Sequence, residues 1–363
     1  MTVSLPIPEA RSITATQPVR YEVLDGLRGA AAIGVLIFHL SIVGAPQLLA
    51  RGYMAVDFFF ILSGFVLSNA YAGRLRTLPL REFLRIRLVR LLPLCTLGLA
   101  LGTSYFLLRL FTQQQSQYEL ADILSGSTWN LFLLPKPWIT QAPTDTVFAA
   151  NTPLWSLSVE MIVNVLWAAL LFRFSKLAMS AVLALTGAGL FVLIIHHGTA
   201  DLGATWPTYA GGVFRALYGF CAGVMIWRYR PMAIGSSLLS WICVFLLAAI
   251  LSMPGGGAVL EAVLVLIILP LLVYVAVLSD GQVRRPAFSQ LGRLSYPLYV
   301  IHVPILMISA GMFKALHLTN AMPIIAFVIL PACLLASVML DRFYDSPVRK
   351  LVQRLMPAAR SPP

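Results

Sequence analysis

Long apolar runs broken by short polar connections recur along the chain, at 27–44, 53–71, 88–111, 153–173, 177–195, 206–227, 236–253, 258–278, 289–313 and 319–341. A helix crossing a hydrocarbon core about 30 Å thick needs about 20 predominantly apolar residues, and each run is close to that length. Several contain Gly, Pro or a charge, which membrane helices tolerate where their neighbours satisfy the backbone. The pattern predicts an all-α polytopic membrane protein of about ten transmembrane helices.

The connections differ in charge. Arg74, Arg76, Arg81, Arg85, Arg87 and Arg90 crowd the second connection and the start of the third run. Arg173 and Lys176 lie in the fourth connection, Arg228 and Arg230 in the sixth, Arg284, Arg285 and Arg293 at the eighth. Arg342, Arg349, Lys350, Arg354 and Arg360 follow the last run, whereas the alternate connections hold little beyond Arg51, Arg109, Lys136 and Lys314. This alternation predicts that both termini are cytoplasmic.

Residues 1–20 lack an apolar core and a cleavage site and are expected to form a disordered cytoplasmic tail rather than a signal peptide. Residues 21–345 form the membrane domain and 346–363 a second cytoplasmic tail. The connection 112–152, expected on the outer side, holds Trp129, Trp138 and several prolines. It fits an interfacial or re-entrant segment serving the substrate, and equally a lipid-facing lid without that role. No internal repeat and no appended soluble domain is expected.

Composition agrees with the membrane reading. Of 363 residues, 59% are hydrophobic and 11% charged, less than half the charged share of about 25% usual in soluble domains. The excess of 26 Lys+Arg over 14 Asp+Glu is scattered among short loops, so anionic lipid explains it better than nucleic acid. Cys95, Cys221, Cys243 and Cys333 lie in apolar runs without paired spacing. They are expected to be free packing residues, with neither a disulfide nor a metal site.

Against this background the few polar groups inside the runs carry the chemistry. Arg28 and His39 are eleven positions apart, so on a helix they stand about 20° apart on one face and about 16 Å apart along the axis. With Arg28 at one surface, His39 lies near the middle of the membrane. That pair suits a channel for a long, anionic, reactive molecule; it also suits an interfacial arginine that snorkels and a histidine bonded within the bundle. Ser156, Glu160 and Asn164 form a polar stripe on the fourth run, and Ser295, Tyr299 and His302 share a face of the ninth. His39, Glu160, Arg215 and His302 are therefore expected near mid-depth, from four helices. An unpaired Arg or carboxylate there costs about 2.5–3.5 kcal/mol, so they are expected to meet, with Glu160 neutralising Arg215 or holding an imidazole in one tautomer. An ion pair that merely staples helices remains the alternative.

Several motifs carry a resemblance. Leu24-Asp25-Gly26-Leu27-Arg28-Gly29, followed by Phe38-His39, resembles the opening of the acyltransferase-3 family of integral membrane acyltransferases, marked by a basic residue, ten residues and a histidine. Gly52-Tyr53-Met54-Ala55-Val56-Asp57-Phe58-Phe59-Phe60-Ile61-Leu62-Ser63-Gly64-Phe65, the segment Phe83–Pro93 with its Arg87-x-x-Arg90 pair, and Pro153-Leu154-Trp155-Ser156-Leu157-Ser158-Val159-Glu160 continue it. So do Leu291-Gly292-Arg293-Leu294-Ser295-Tyr296 with Tyr299 and His302-Val303-Pro304, and the closing Tyr344-Asp345-Ser346-Pro347. The chain departs from the family in having Leu92 and Cys95 around Pro93 in place of aromatics, a thinner polar run after Glu160, and Asp345 where Glu is usual.

The resemblance implies transfer of an acyl group, usually acetyl, from cytosolic acyl-CoA to a hydroxyl on a cell-envelope glycan, in a bacterial inner membrane and without a metal. It implies that Arg28, Arg87 and Arg90 engage the CoA phosphates, with Ser63 and Gly64 assigned to the same donor site, and that His39 is the catalytic histidine. His39 is expected to act as a general base or to accept the acyl group transiently, with Glu160 orienting or charge-balancing the site. Arg215 or Tyr299 is expected near the developing oxyanion, and His302 within the catalytic group. The expected partners are acyl-CoA, a glycan or lipid-linked sugar, and membrane lipid, with no nucleic acid. A transporter or flippase with an intramembrane charge relay and a non-catalytic assembly partner are the rival readings.

Overall fold

The computed structural model describes residues 19–71, 73–112, 119–137, 145–281, 285–318 and 322–355. Every predicted apolar run contains a helix: α1 (Glu22–His39), α2 (Ala55–Tyr71), α3 (Leu80–Thr112), α5 (Leu154–Ala169), α6 (Lys176–His197), α7 (Tyr209–Arg228), α8 (Ser237–Ser252), α9 (Gly257–Val263) continuing through a π-helical turn into α10 (Leu269–Asp280), α11 (Pro286–Ala315) and α12 (Met322–Leu340). A short α4 (Leu120–Leu131) sits in the long connection, and a second π-helical turn leads from α12 into α13 (Ser346–Leu355). Among the described residues eight helical segments are long and apolar enough to cross a membrane, while α5 and α8 are shorter apolar helices. The protein is an all-α polytopic membrane protein.

Lipid supplies no hydrophobic force between spans, so close backbone approach at small residues holds such bundles together. The most extensive contact joins α1 to α11, and its glycines show why. A Cβ on Gly29 would lie 2.5 Å from the Cβ of Leu291, and one on Gly292 would lie 2.7 Å from the Cβ of Asp25. The α2–α7 contact depends on Gly64 and Gly223 in the same way: their Cβ atoms would each come within 2.0 Å of a carbonyl, that of Phe220 and of Ile61 respectively. Gly64, expected at the donor site, is thus a packing position.

α1 begins five residues before the predicted run. Glu22 and Asp25 occupy its first turn, where carboxylates favour the positive helix end, so helix extends past the apolar pattern. Arg28 consequently stands six residues in, about 9 Å along the axis, and His39 is the last residue, about 26 Å from Glu22. The two side chains keep the eleven-residue separation on one helix, about 16 Å along its axis.

The long connection is tied within itself and to the connection before α7. Asn130 donates to the carbonyls of Leu134 and Val147, both at 3.0 Å, and Thr146 pairs with Thr205 in an isolated bridge. Trp129 and Phe132 are 44% and 69% exposed, an apolar face that fits a membrane interface. Trp138, Arg284, Arg360 and residues 1–18 lie outside the described residues. All four cysteines are buried and free.

Candidate active site

A cavity of about 360 Å³ enters the bundle between α1, α2, α3, α5 and α11, a size within the range of small-molecule sites. Along α2 it runs from Asn69 to Val56, about 20 Å of helix axis. Its charged walls come from Arg20, Arg28, Arg87 and Arg90 against Asp25 and Glu160, four guanidiniums to two carboxylates. Leu62, Phe59, Ser156 and Tyr299 line it farther in. The result is a positively charged vestibule leading to an apolar end.

The guanidiniums are held by different means. The α1–α11 contact brings Arg28 onto α11, where Nε donates to Ser295 Oγ at 2.9 Å and Nη2 to the Gly292 carbonyl at 2.6 Å; Asp25 is 3.2 Å away. Arg87 is buried against Glu160, Nη2 to Oε1 3.1 Å, and Ser63 Oγ donates to the same oxygen at 2.6 Å. Arg90 is exposed on the cavity wall and forms no ion pair among the described residues. Of the polar stripe on α5, Ser156 and Glu160 line the cavity, while Asn164 is wholly buried away from it.

Ser295, Tyr299 and His302 do share one face of α11, and each meets a different partner. Tyr299 Oη lies 2.7 Å from Ser156 Oγ and its ring makes an edge contact with Phe59 at 5.5 Å. His302 Nε2 lies 3.2 Å from His39 Nδ1, so two of the expected residues meet directly. His302 is fully buried and His39 partly exposed. Neither imidazole lines the cavity; Phe59 and Tyr299 do, and the Tyr299 ring is 6.0 Å from that of His302.

Arg215 does not join this group. Its Nε and Nη2 clasp Asp57 Oδ1 and Oδ2 at 2.9 and 2.7 Å, and Nη1 and Nη2 donate to the carbonyls of Leu202 and Tyr53. The guanidinium also lies over Trp155 at 5.4 Å. The expected Glu160–Arg215 pair is therefore absent, because the α2–α7 glycine crossing sets Asp57 beside Arg215 and leaves Glu160 to Arg87. Arg215 is wholly buried and off the cavity wall, which also removes it from the expected oxyanion position.

Two contributors lie inside the resembling motifs without an assigned role. Phe59 lines the cavity and packs on the apolar cluster that includes Leu36, Leu40 and Leu298 beside the histidines. Tyr296 donates to the Leu91 carbonyl at 2.5 Å and touches Cys95 Sγ at 3.2 Å, closing the α3 wall. An aromatic in a phenylalanine run gives no signal of such a position; Tyr296 lies inside a motif and could have been singled out.

The site is thus a cation-lined cavity whose Tyr299 wall stands 6.0 Å from the His302 ring, the inner member of a histidine pair. The chain belongs to the acyltransferase-3 family: the family described as an acyltransferase domain matches residues 21–342. It is 36% identical over 169 residues to "Protein 2 in picA locus" of Rhizobium radiobacter, covering 43% of this chain and 85% of that protein. It is 25% identical over 361 residues to the O-acetyltransferase OatA of Staphylococcus aureus, covering 90% of this chain and 57% of that one. The peptidoglycan O-acetyltransferase OatA of Listeria monocytogenes is also 25% identical, over 366 residues, covering 90% of this chain and 55% of its own length. The chain thus spans a little over half the length of these O-acetyltransferases. No solved structure matches it.

Proposed function

We propose that the protein is an O-acyltransferase of the bacterial inner membrane, with cytoplasmic termini, that moves an acetyl group from acetyl-CoA to a hydroxyl of a cell-envelope glycan. The single observation that best supports this reading is the cavity: four guanidiniums against two carboxylates at one end, an apolar end along α2, and a histidine pair just beyond. Guanidiniums bind phosphate oxygens through paired N–H donors, so Arg90, Arg28 and Arg20 suit the phosphates of CoA. The uncharged arm then extends along α2 toward Tyr299. The glycan acceptor is suggested by the relatives that carry the name O-acetyltransferase.

In this scheme Phe59 and Tyr299 part to let the thioester reach His39. His39 Nε2 takes the proton of the acceptor hydroxyl as its oxygen attacks the acyl carbonyl. The C–S bond breaks, the thiolate leaves, and the proton passes from Nε2 to the sulfur, so ester and CoA thiol are the products. Tyr299, fixed by Ser156, is the hydroxyl available to the oxyanion. Glu160 balances Arg87 beside the donor and does not touch the imidazoles.

The test is transfer of labelled acetyl from acetyl-CoA by the full chain in membranes, comparing wild type with His39→Ala. The expected result is loss of transfer by the variant while CoA still raises its unfolding temperature. Transfer that survives the substitution would overturn the role of His39; a wild-type protein that neither binds CoA nor turns it over would overturn the donor.

A further inference from the structure

We infer that His302 is the positioning residue that sets the protonation pattern of His39, through a chain of hydrogen bonds readable from the acceptors at its ends. The inference rests on the reading of His39 as the base. His302 Nδ1 lies 3.1 Å from the Leu298 carbonyl, and His39 Nδ1 lies 2.9 Å from the Val35 carbonyl. A carbonyl only accepts, so both bonds require the proton on Nδ1. A neutral His302 then carries a lone pair on Nε2, and that atom is 3.2 Å from His39 Nδ1. The Nδ1–H of His39 is shared between Val35 O and His302 Nε2.

For two neutral rings only one arrangement of protons satisfies all three contacts. Were His302 to carry its proton on Nε2, it would lose Leu298 and point a donor at the His39 atom that already donates to Val35. His39 would then have to release Val35 and carry its own proton on Nε2, where a base needs a lone pair. The Leu298 carbonyl, four residues earlier on α11, excludes that alternative; the α1–α11 contact delivers it to His39 across the helices. His302 thus keeps His39 Nε2 free. When Nε2 takes the hydroxyl proton, the positive ring still donates from Nδ1 to a neutral acceptor, which holds its orientation and stabilises it by a charge-assisted hydrogen bond. His302 gains no proton in the cycle: the one taken up at His39 Nε2 departs with the thiol.

His302 is fully buried, so a simple loss of activity on substitution would not separate positioning from packing. Two readouts do. In ¹⁵N NMR of the full chain in lipid bilayers with ring-labelled histidine, both His39 and His302 are expected as the Nδ1–H form, with a through-bond coupling between His39 Nδ1 and His302 Nε2. A protonated His302 Nε2, or no coupling, overturns the inference whatever the activity. In steady-state assays with acetyl-CoA, His302→Leu is expected to lower kcat about 100-fold with KM for the donor unchanged, as expected for loss of the partner that orients a catalytic imidazole. His302→Gln, whose amide oxygen can accept from His39 Nδ1, is expected to recover at least tenfold of that loss. Equal activity of wild type, His302→Leu and His302→Gln, with His39→Ala inactive, overturns this inference alone. Activity that survives His39→Ala overturns the reading of the base, and the NMR result still decides how the two rings are joined.

Discussion

The amide of Asn151 donates to the backbone carbonyl of Val300 at 2.8 Å, the carbonyl that Pro304 leaves without its helical partner. Proline lacks the N–H that would bond four residues back, so α11 is open just where His302 faces α1. A connection residue outside the helices closes the gap. Gly98 on α3 makes room for it, since a Cβ there would lie 2.8 Å from both Asn151 Nδ2 and Val300 O.

Asn151→Ala should therefore destabilise the fold by about 1–3 kcal/mol, the cost of a buried group left without its bond. Pro304→Ala returns an N–H to the Val300 carbonyl. In that background Asn151→Ala should cost less, with a coupling of about 1 kcal/mol. Thermal unfolding of the four proteins in lipid nanodiscs measures the cycle. Strict additivity would mean that the two residues do not serve the same carbonyl.

Asp57 and Arg215 make the second internal bond that can be tested by cycle. Both side chains are almost wholly buried, at 2% and 0% exposure, and removal of one partner from such a pair typically costs about 3–5 kcal/mol because the other charge is stranded. Asp57→Ala and Arg215→Met should each lower the unfolding temperature or the folded yield sharply. The double variant should be more stable than the worse single one. Arg215→Lys should remain poor, since a lysine cannot clasp both carboxylate oxygens and still serve the Tyr53 and Leu202 carbonyls.

The helical frame was legible because apolar runs of spanning length leave few alternatives to helix. Face sharing was legible too: the 0, 4, 7 pattern of Ser295, Tyr299 and His302 survives intact. What could not be read was which helix lies beside which. Depth alone put Glu160 and Arg215 together, yet partners are chosen by contact, and the α2–α7 crossing gives Arg215 to Asp57. The same blindness hid Gly64. In a motif beside Ser63 it looked like a ligand position, while its real neighbour, the Phe220 carbonyl, lies more than 150 residues away.

Gly64→Ala separates those two roles. The added carbon would sit 2.0 Å from backbone oxygen, which cannot move aside as a side-chain tip can, so α2 and α7 must part. The expected outcome is a loss of stability of about 2 kcal/mol or more, in the range for forced overpacking, with the affinity for CoA of whatever folds little changed. Gly73→Ala, where nothing lies within 4 Å, is the control and should be neutral. A Gly64→Ala protein with wild-type unfolding temperature and weakened CoA binding would return Gly64 to the donor site.

The cavity charges make a last prediction, because its arginines are not equivalent. Arg90 is exposed and unpaired among the described residues, so Arg90→Ala should leave stability unchanged. It should still weaken CoA binding about tenfold, a typical loss for one charge-assisted contact to phosphate. Added salt should narrow the difference from wild type, since an exposed charge is screened within about 8 Å at physiological ionic strength. Arg87 is buried against Glu160, and Arg87→Ala strands that carboxylate beside the ligand; it should lose both stability and affinity. Arg87→Ala combined with Glu160→Gln should regain most of the stability, since the stranded charge is gone, and part of the affinity, since the net charge of the vestibule returns to its wild-type value. Titration of CoA by thermal shift at low and high salt, on all four proteins, reads both quantities. If Arg90→Ala binds CoA as wild type does at low salt, the vestibule is not where the phosphates sit.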